Sequence, residues 1–289
     1  MAGALSGTTV GFIGLGLMGR PMSRALAAAG ADVVAWSRDP AKRDAAAADG
    51  LRPVDTAGAV ARACDILILM LADTPAVESV LADLLPALRP GTVVIDMGTT
   101  APQATLAFAA KAAERGGRWV DAPVSGGEVG AREATLTIMA GGEAADFARA
   151  APLFRAMGRT VTHVGATGAG QVAKAANQVI VGVTIAAVAE ALALARRAGV
   201  DPLVLRDTLL GGFAASRVLD LHGRRMATGE LAPGARSTTQ RKDLAQALAL
   251  ADDLGLDMPV TRLTRDLYDR LIAQGDGDLD HAALIRLYG

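Results

Sequence analysis

The chain has 289 residues, 51% hydrophobic and only 3% aromatic, with 29 basic and 30 acidic side chains for a net charge of −1. That length suggests two domains, and the apolar content is ample for a sizeable core. The balanced charge and the scarcity of aromatic rings argue against binding nucleic acid or an anionic membrane surface.

The opening MAGALSG carries neither a basic region nor a long apolar run, so no signal peptide is expected. Thr9–Ile13 (TVGFI) reads as a strand. Gly14, Leu15, Gly16, Leu17, Met18 and Gly19 follow, and then a helical pattern that stops at Gly30. Strand, G-x-G-x-x-G and helix in that order are the context of a dinucleotide-binding fingerprint. Gly14 would permit the tight turn, Gly16 the close approach of a pyrophosphate, and Gly19 close packing of helix on strand. The phosphates would sit at the helix N-terminus, where free N–H groups and the helix dipole favour anions. The next strand, Asp32–Trp36, runs into Ser37, Arg38 and Asp39. Arg38 with Ser37 suits a ribose 2′-phosphate, with Lys42 or Arg43 in support, whereas Asp39 points toward an unphosphorylated ribose. The balance favours NADP over NAD.

Strands are expected at 65–71, 92–96, Arg118–Asp121, 134–140 and 160–164, and helices at 74–85, 102–115 and 143–157. That alternation predicts a parallel sheet with helices on both faces, and ligands beyond the carboxyl ends of its strands. Cys64, the only cysteine, precedes an apolar run and reads as a small core residue in a protein of the reducing cytoplasm. After the strand ending at Asp121, Ser125, Gly126 and Gly127 could turn their N–H groups, with the serine hydroxyl, toward a carboxylate. An ordinary hairpin turn would use the same residues.

Residues 165–199 read as one long helix. Its apolar run, 179–189, falls short of the roughly 18–20 residues a membrane span needs, so a buried interdomain helix is expected. Lys174 lies near its start among apolar neighbours, with Asn177 and Gln178 on the same face at i+3 and i+4. A lysine so placed is either a buried cation with a chemical role or a side chain reaching out to solvent. The glycines before it and the amides beside it favour the first. Beyond residue 199 only helical patterns follow, at 201–210, 216–226, 239–254, 259–274 and 280–288.

The expected architecture is an α/β Rossmann-type N-terminal domain (1–164) and an all-α C-terminal domain (199–289), joined by a long interdomain helix (165–198). Lys242 and Asp243 read, taken alone, as an exposed pair on a helix surface. His163, His222 and His281 are far apart in sequence with no ligand spacing, so no metal site is expected. There is no G-x-S-x-G elbow to suggest a serine hydrolase.

The segments GFIGLGLMGRPMSRAL, DMGTTAP, DAPVSGGEVGA, GATGAGQVAKAANQ and KDL, in this order and near these spacings, resemble the β-hydroxyacid dehydrogenases. That family includes 3-hydroxyisobutyrate dehydrogenase, tartronate semialdehyde reductase, glyoxylate/succinic semialdehyde reductases and, more distantly, 6-phosphogluconate dehydrogenase. The resemblance spans almost the whole chain. ANQVIVGVTIAAVAEAL and the late DHAAL are most similar to tartronate semialdehyde reductases.

The resemblance implies an NADP- or NAD-dependent enzyme that moves a hydride between nicotinamide C4 and the carbonyl carbon of a small 3-oxo acid. It implies that Gly14, Leu15, Gly16, Leu17, Met18 and Gly19 hold the pyrophosphate and that Met70, Leu71 and Thr99 line the nicotinamide side. Ser125, Gly126 and Gly127 would bind the substrate carboxylate, Lys174 would be the general acid/base, and Asn177 or Gln178 would help hold the substrate. Lys242 would contact the cofactor, and packing of the long helix would make a homodimer or homotetramer. This chain departs from the family pattern where the amide stands at i+3 as well as i+4. It departs also at Ala134 (commonly glycine), at Ala72 (usually proline) and at Ala235 (phenylalanine in several members). The alternatives are an imine reductase, which generally lacks the lysine, and a non-catalytic nucleotide-binding adaptor, which the intact Lys174 and 125–127 set disfavours.

Overall fold

The computed structural model describes residues 3–289. They form two compact units, one ending at Lys174 and the other running from Ala175 to Gly289.

The first unit runs β1 (Thr9–Ile13), α1 (Gly19–Ala28), β2 (Asp32–Trp36), α2 (Pro40–Ala48), β3 (Arg52–Pro53), α3 (Ala57–Ala63), β4 (Ile66–Leu69) and α4 (Thr74–Leu84). It continues with β5 (Val93–Asp96), α5 (Pro102–Ala113), β6 (Arg118–Asp121), β7 (Val124–Ser125), α6 (Gly127–Arg132), β8 (Leu136–Gly141), α7 (Ala144–Met157) and β9 (Gly158–Gly165). It closes with the first turns of α8 (Ala169–Arg197). The strands make one sheet in the order β3-β2-β1-β4-β5-β6-β8-β7, with β9 on β8.

The strands from β1 to β6 pair in parallel, as expected of strands joined by helical crossovers. The central strands β1, β4 and β5 are buried on both faces, so alternate residues feed two apolar layers. Phe12, Ile68 and Ile95 enter one; Ile13, Leu67 and Val94 enter the other. The strand order reverses at β1, which lies between β2 and β4. That reversal opens a crevice beyond the strand ends.

Several local expectations are corrected here. The sheet is not wholly parallel, because β8 runs antiparallel to β6 and β7. The strand expected from 134 begins at Leu136, because Ala134 has φ 53°, outside any strand conformation. The turn at 125–127 is no plain hairpin, since α6 begins at Gly127. Cys64 is buried as expected.

The second unit holds the rest of α8, then α9 (Pro202–Leu209), a π-helical turn at Leu219–Gly223 leading into α10 (Arg224–Thr228), α11 (Ser237–Asp253), α12 (Pro259–Ala273) and a 3₁₀ segment, His281–Tyr288. Asp201 starts α9 by accepting from the N–H groups of Leu203 and Val204, with Pro202 at the first position. Among the described residues no strand falls in this unit; one isolated bridge joins Arg236 and Asp280. Helix α8 is long and apolar enough to cross a membrane by length and composition, and 44% of its most apolar 18-residue window is buried. Its Ile185, Ala189 and Leu192 pack with Leu244, Tyr268 and Leu271, so its apolar face serves the core of the second unit.

Candidate active site

In the first unit the ends of β1, β2 and β4 converge. Gly14 donates to Trp36 O (2.9 Å), and Met70 donates to Ile13 O (2.8 Å). The three fingerprint glycines have different reasons to be glycine. Gly14 has φ +104°, and a Cβ there would lie 2.3 Å from Met70 O. A Cβ on Gly19 would lie 1.8 Å from Gly14 O. A Cβ on Gly16 would meet no protein atom within 4 Å. Helix α1 starts at Gly19 with no side-chain cap and no acidic residue in its first turn, so its leading N–H groups and dipole suit an anion.

At the end of β2, Ser37 is buried and Arg38 exposed. Asp39 caps α2, accepting from Ala41 N at 3.0 Å, which gives its carboxylate a structural role. Arg43 braces the same loop by donating to Ser37 O at 2.7 Å. Arg38 makes no side-chain ion pair or hydrogen bond among the described residues. Leu71 and Ala72 follow β4, and Thr99 follows β5, where the Asp96 carboxylate holds Gly98 N at 3.0 Å and Thr100 Oγ1 at 2.9 Å.

Asp121, the last residue of β6, is fully buried. It accepts from Gly168 N at 2.7 Å and Gln171 N at 2.9 Å, closing the N-terminus of α8 with a carboxylate where the dipole favours one. Burial pushes the Asp121 carboxyl up, against the pull of those N–H bonds. A Cβ on Gly170 would lie 2.4 Å from Asp121 O, so only glycine lets the helix start this close to the strand. Lys174 follows one turn on. It is 8% exposed, and its Nζ donates to Val124 O at 2.8 Å. The side chain does not reach out to solvent; its ammonium is fixed at the residue before Ser125. Gly126 (φ +131°) and Gly127 (φ +60°) then carry the backbone through left-handed conformations into α6.

In the second unit Asn177 is half-buried and Gln178 buried. The Gln178 amide donates to Gln240 Oε1 at 3.2 Å and Asp243 Oδ2 at 2.6 Å, and accepts from Asn177 Nδ2 at 2.8 Å. Asp243 is therefore no exposed member of a surface pair. It is 3% exposed, while Lys242, on the same helix, lies 3.2 Å from its Oδ1. His222 and His281, distant in sequence, meet with Nε2 atoms 3.2 Å apart. They lie beside a fully buried Asp280 that also takes Arg225 Nη1 at 2.6 Å and the N–H groups of Gly234 and Ala235.

Comparison with known proteins identifies the scaffold. Residues 9–165 match the model of the NAD-binding domain of 6-phosphogluconate dehydrogenase. Residues 168–288 match the NAD-binding model of NADP-dependent 3-hydroxyisobutyrate dehydrogenase. The chain is 44% identical over 280 residues to 2-hydroxy-3-oxopropionate reductase of Escherichia coli, covering 96% of each chain. It is 36% identical to a 3-hydroxyisobutyrate dehydrogenase of Pseudomonas aeruginosa, covering 97% of this chain and 98% of that one. Among solved structures, the 3-hydroxyisobutyrate dehydrogenase of Mycobacterium tuberculosis with L-serine superposes with a TM-score of 0.89 at 33% identity, covering 97% and 98%. The chain belongs to the β-hydroxyacid dehydrogenase family.

As a member of that family it is an oxidoreductase of the nicotinamide-dependent kind, and neither an imine reductase nor a silent adaptor is favoured. The residues present fit a dinucleotide. Gly14 and Gly19 are required by the protein's own backbone, whereas only a bound group would crowd a side chain at Gly16. Reading the sequence missed Asp121, which holds the start of α8, Gln171, which bonds the loop after β5, and Gln240, which with Asp243 holds Gln178. A carboxylate ending a buried strand was the one visible sign of the first; the two glutamines show no local signature, and Asp243, singled out with Lys242, was read as exposed.

Proposed function

We propose that this dehydrogenase interconverts a small 3-hydroxy acid and its semialdehyde, with tartronate semialdehyde as the best substrate and NADP as the preferred cofactor. The observation that carries the reading is the Lys174 ammonium, buried and held 2.8 Å from Val124 O, immediately before the 125–127 turn. The similarity to the E. coli reductase supports the substrate class.

A bound nicotinamide supplies the hydride for reduction and accepts it in oxidation. Lys174 gives a proton to the carbonyl oxygen as the aldehyde is reduced and takes it back from the hydroxyl in the reverse direction. Val124 O accepts one of the three ammonium protons and so orients Nζ. The Ser125 hydroxyl and the N–H groups of Gly126 and Gly127 hold the substrate carboxylate, which fixes the carbonyl for transfer. Of the two amides, Asn177 is assigned to the substrate, because Gln178 is buried and committed to Gln240 and Asp243. Gln178 orients Asn177 through their mutual bond.

Gly14, Leu15, Gly16, Leu17, Met18 and Gly19 would cradle the pyrophosphate, Met70, Leu71 and Thr99 would flank the nicotinamide, and Lys242 would contact the cofactor. Ser37 and Arg38 would receive the 2′-phosphate: Arg38 is exposed and its side chain has no partner among the described residues, while Asp39 is occupied in capping α2. The protein works as a homodimer or homotetramer in a reducing cytoplasm, in keeping with its single, buried Cys64.

Lys174→Ala should bind cofactor normally and lose turnover by about a hundred-fold or more. A variant with near-normal turnover on a panel of carboxylated aldehydes would remove the assignment. Arg38→Ala should weaken NADP at least about ten-fold more than NAD; equal weakening of both would make Arg38 a plain surface charge.

A further inference from the structure

Gln171 sits on α8 one turn before Lys174, and it is 1% exposed. A primary amide is costly to bury unless both ends are bonded. Both ends are bonded here, and to one loop: Nε2 donates to Gly98 O at 3.0 Å, and Oε1 accepts from Thr100 N at 3.2 Å. The side chain therefore brackets Thr99 from either side. The loop is stiff on its other flank, since Thr100 Oγ1 also bonds Asp96 and Thr105. The Gln171 main-chain N–H is held by Asp121. A continuous path of short bonds thus runs from the end of β5, through the Gln171 amide, along one helical turn to Lys174 and on to Val124 O.

We infer that Gln171 is a positioning residue for the reaction: it fixes the Thr99 loop relative to the Lys174 ammonium. The inference rests on the reading of Lys174 as the acid/base and of Thr99 as flanking the nicotinamide. Only a side chain of this length with one donor and one acceptor makes the bracket. Asparagine is a methylene short, methionine has the length but neither bond, and an ionised glutamate cannot donate.

The test uses the full-length enzyme and the variants Gln171→Met, Gln171→Glu and Lys174→Met. Gln171→Met should lower kcat about ten-fold or more while moving the substrate KM and the cofactor Kd less than about three-fold, since small misplacements of reacting groups cost rate more than binding. The primary deuterium isotope effect on kcat, read with 4-deuterated reduced cofactor, should rise. Without any cofactor, amide hydrogen exchange at Thr100 should speed about ten-fold. Gln171→Glu should be slow at neutral pH and recover relative to wild type as the pH falls, because the protonated carboxyl has one donor and one acceptor as the amide does.

In the double variant Gln171→Met/Lys174→Met, the first change should add little to the second, as expected of a residue acting through the lysine. A normal kcat in both Gln171 variants with only a lowered Tm would overturn the inference, as would full additivity in the double variant. If Lys174→Met itself turns over normally, the acid/base reading fails instead. If Lys174→Met is dead while Gln171→Met keeps its kcat, only the positioning role fails.

Discussion

Replacing the fingerprint glycines one at a time with alanine separates what the fold needs from what the cofactor needs. At Gly14 the new methyl would lie 2.3 Å from Met70 O on a backbone of φ +104°. The left-handed conformation costs an L-residue about 1–2 kcal/mol, and the overlap about 1–3 more. At Gly19 the methyl would lie 1.8 Å from Gly14 O, a main-chain atom that only a shift of the turn can move; overpacking of that kind costs about 1–3 kcal/mol or more. At Gly16 no protein atom lies within 4 Å of the methyl and the backbone is not left-handed, so the change in stability should stay within about 0.5 kcal/mol.

At about 2–4 °C per kcal/mol for a domain of this size, Gly14→Ala should lower the Tm of the cofactor-free protein by several degrees, with Gly19→Ala close behind. Gly16→Ala should move it by no more than about 2 °C. Titration of reduced-cofactor fluorescence should reverse the ranking: Gly16→Ala should raise Kd by about ten-fold or more, equivalent to 1.4 kcal/mol. A Gly16→Ala protein that binds normally would refute the assigned pyrophosphate path. One that melts as early as Gly14→Ala would refute the reading of Gly16 as free of the protein's own packing.

Two further changes test the scaffold. Ala134 is the one non-glycine residue with positive φ among those described, directly after the α6 cap Glu133; Ala134→Gly should raise stability by about 0.5–1 kcal/mol in urea unfolding, the strain relieved outweighing the added freedom of the unfolded chain. Asp280 feels burial most, which alone would raise its pKa, but the His222 hydrogen bond, the His281 charge and the N–H groups of Ala282 and Ala235 more than offset it and hold the carboxyl well below the usual range. A carboxylate with a depressed folded pKa stabilises fully above its unfolded value near about 4 and loses that stabilisation as pH falls below it. Asp280→Asn should therefore lower Tm clearly at neutral pH, where Arg225 loses its partner, and the gap to wild type should narrow in melts run at progressively lower pH below about 4; a gap that stays constant would refute the ionised role.

Much of the first unit was legible because its strands are short apolar runs punctuated by glycine: β1, β2 and β6 begin and end where the sequence reading places them. Helices α2 and α3 were not legible, because PAKRDAAAA and AGAVARA are alanine-rich and carry no marked apolar stripe. The reversal of β8 depends on pairing with β6 and β7, a contact between distant residues that no local pattern encodes. The same holds for the candidate site. Lys174 stood out as a cation in an apolar stretch. Gln171 and Gln240 look like ordinary polar helix residues until their partners, 73 and 62 positions away, are known. His222 and His281 lie 59 positions apart and were read as unrelated, yet their rings meet edge to face.

Val124 O, which accepts from the Lys174 ammonium, and Gly98 O and Thr100 N, which bond the two ends of the Gln171 side chain, are all main-chain atoms. Any residue type can offer a carbonyl, and any but proline an N–H. The side chains at 99 and 124 can therefore be exchanged without withdrawing the atoms that aim the lysine. For an engineer, on the proposed reading of Lys174, this separates two tasks: residues around the loops can be varied to admit bulkier or differently charged aldehydes while the lysine ammonium keeps its place. The same independence gives mutation a route to new substrates that does not pass through an inactive enzyme.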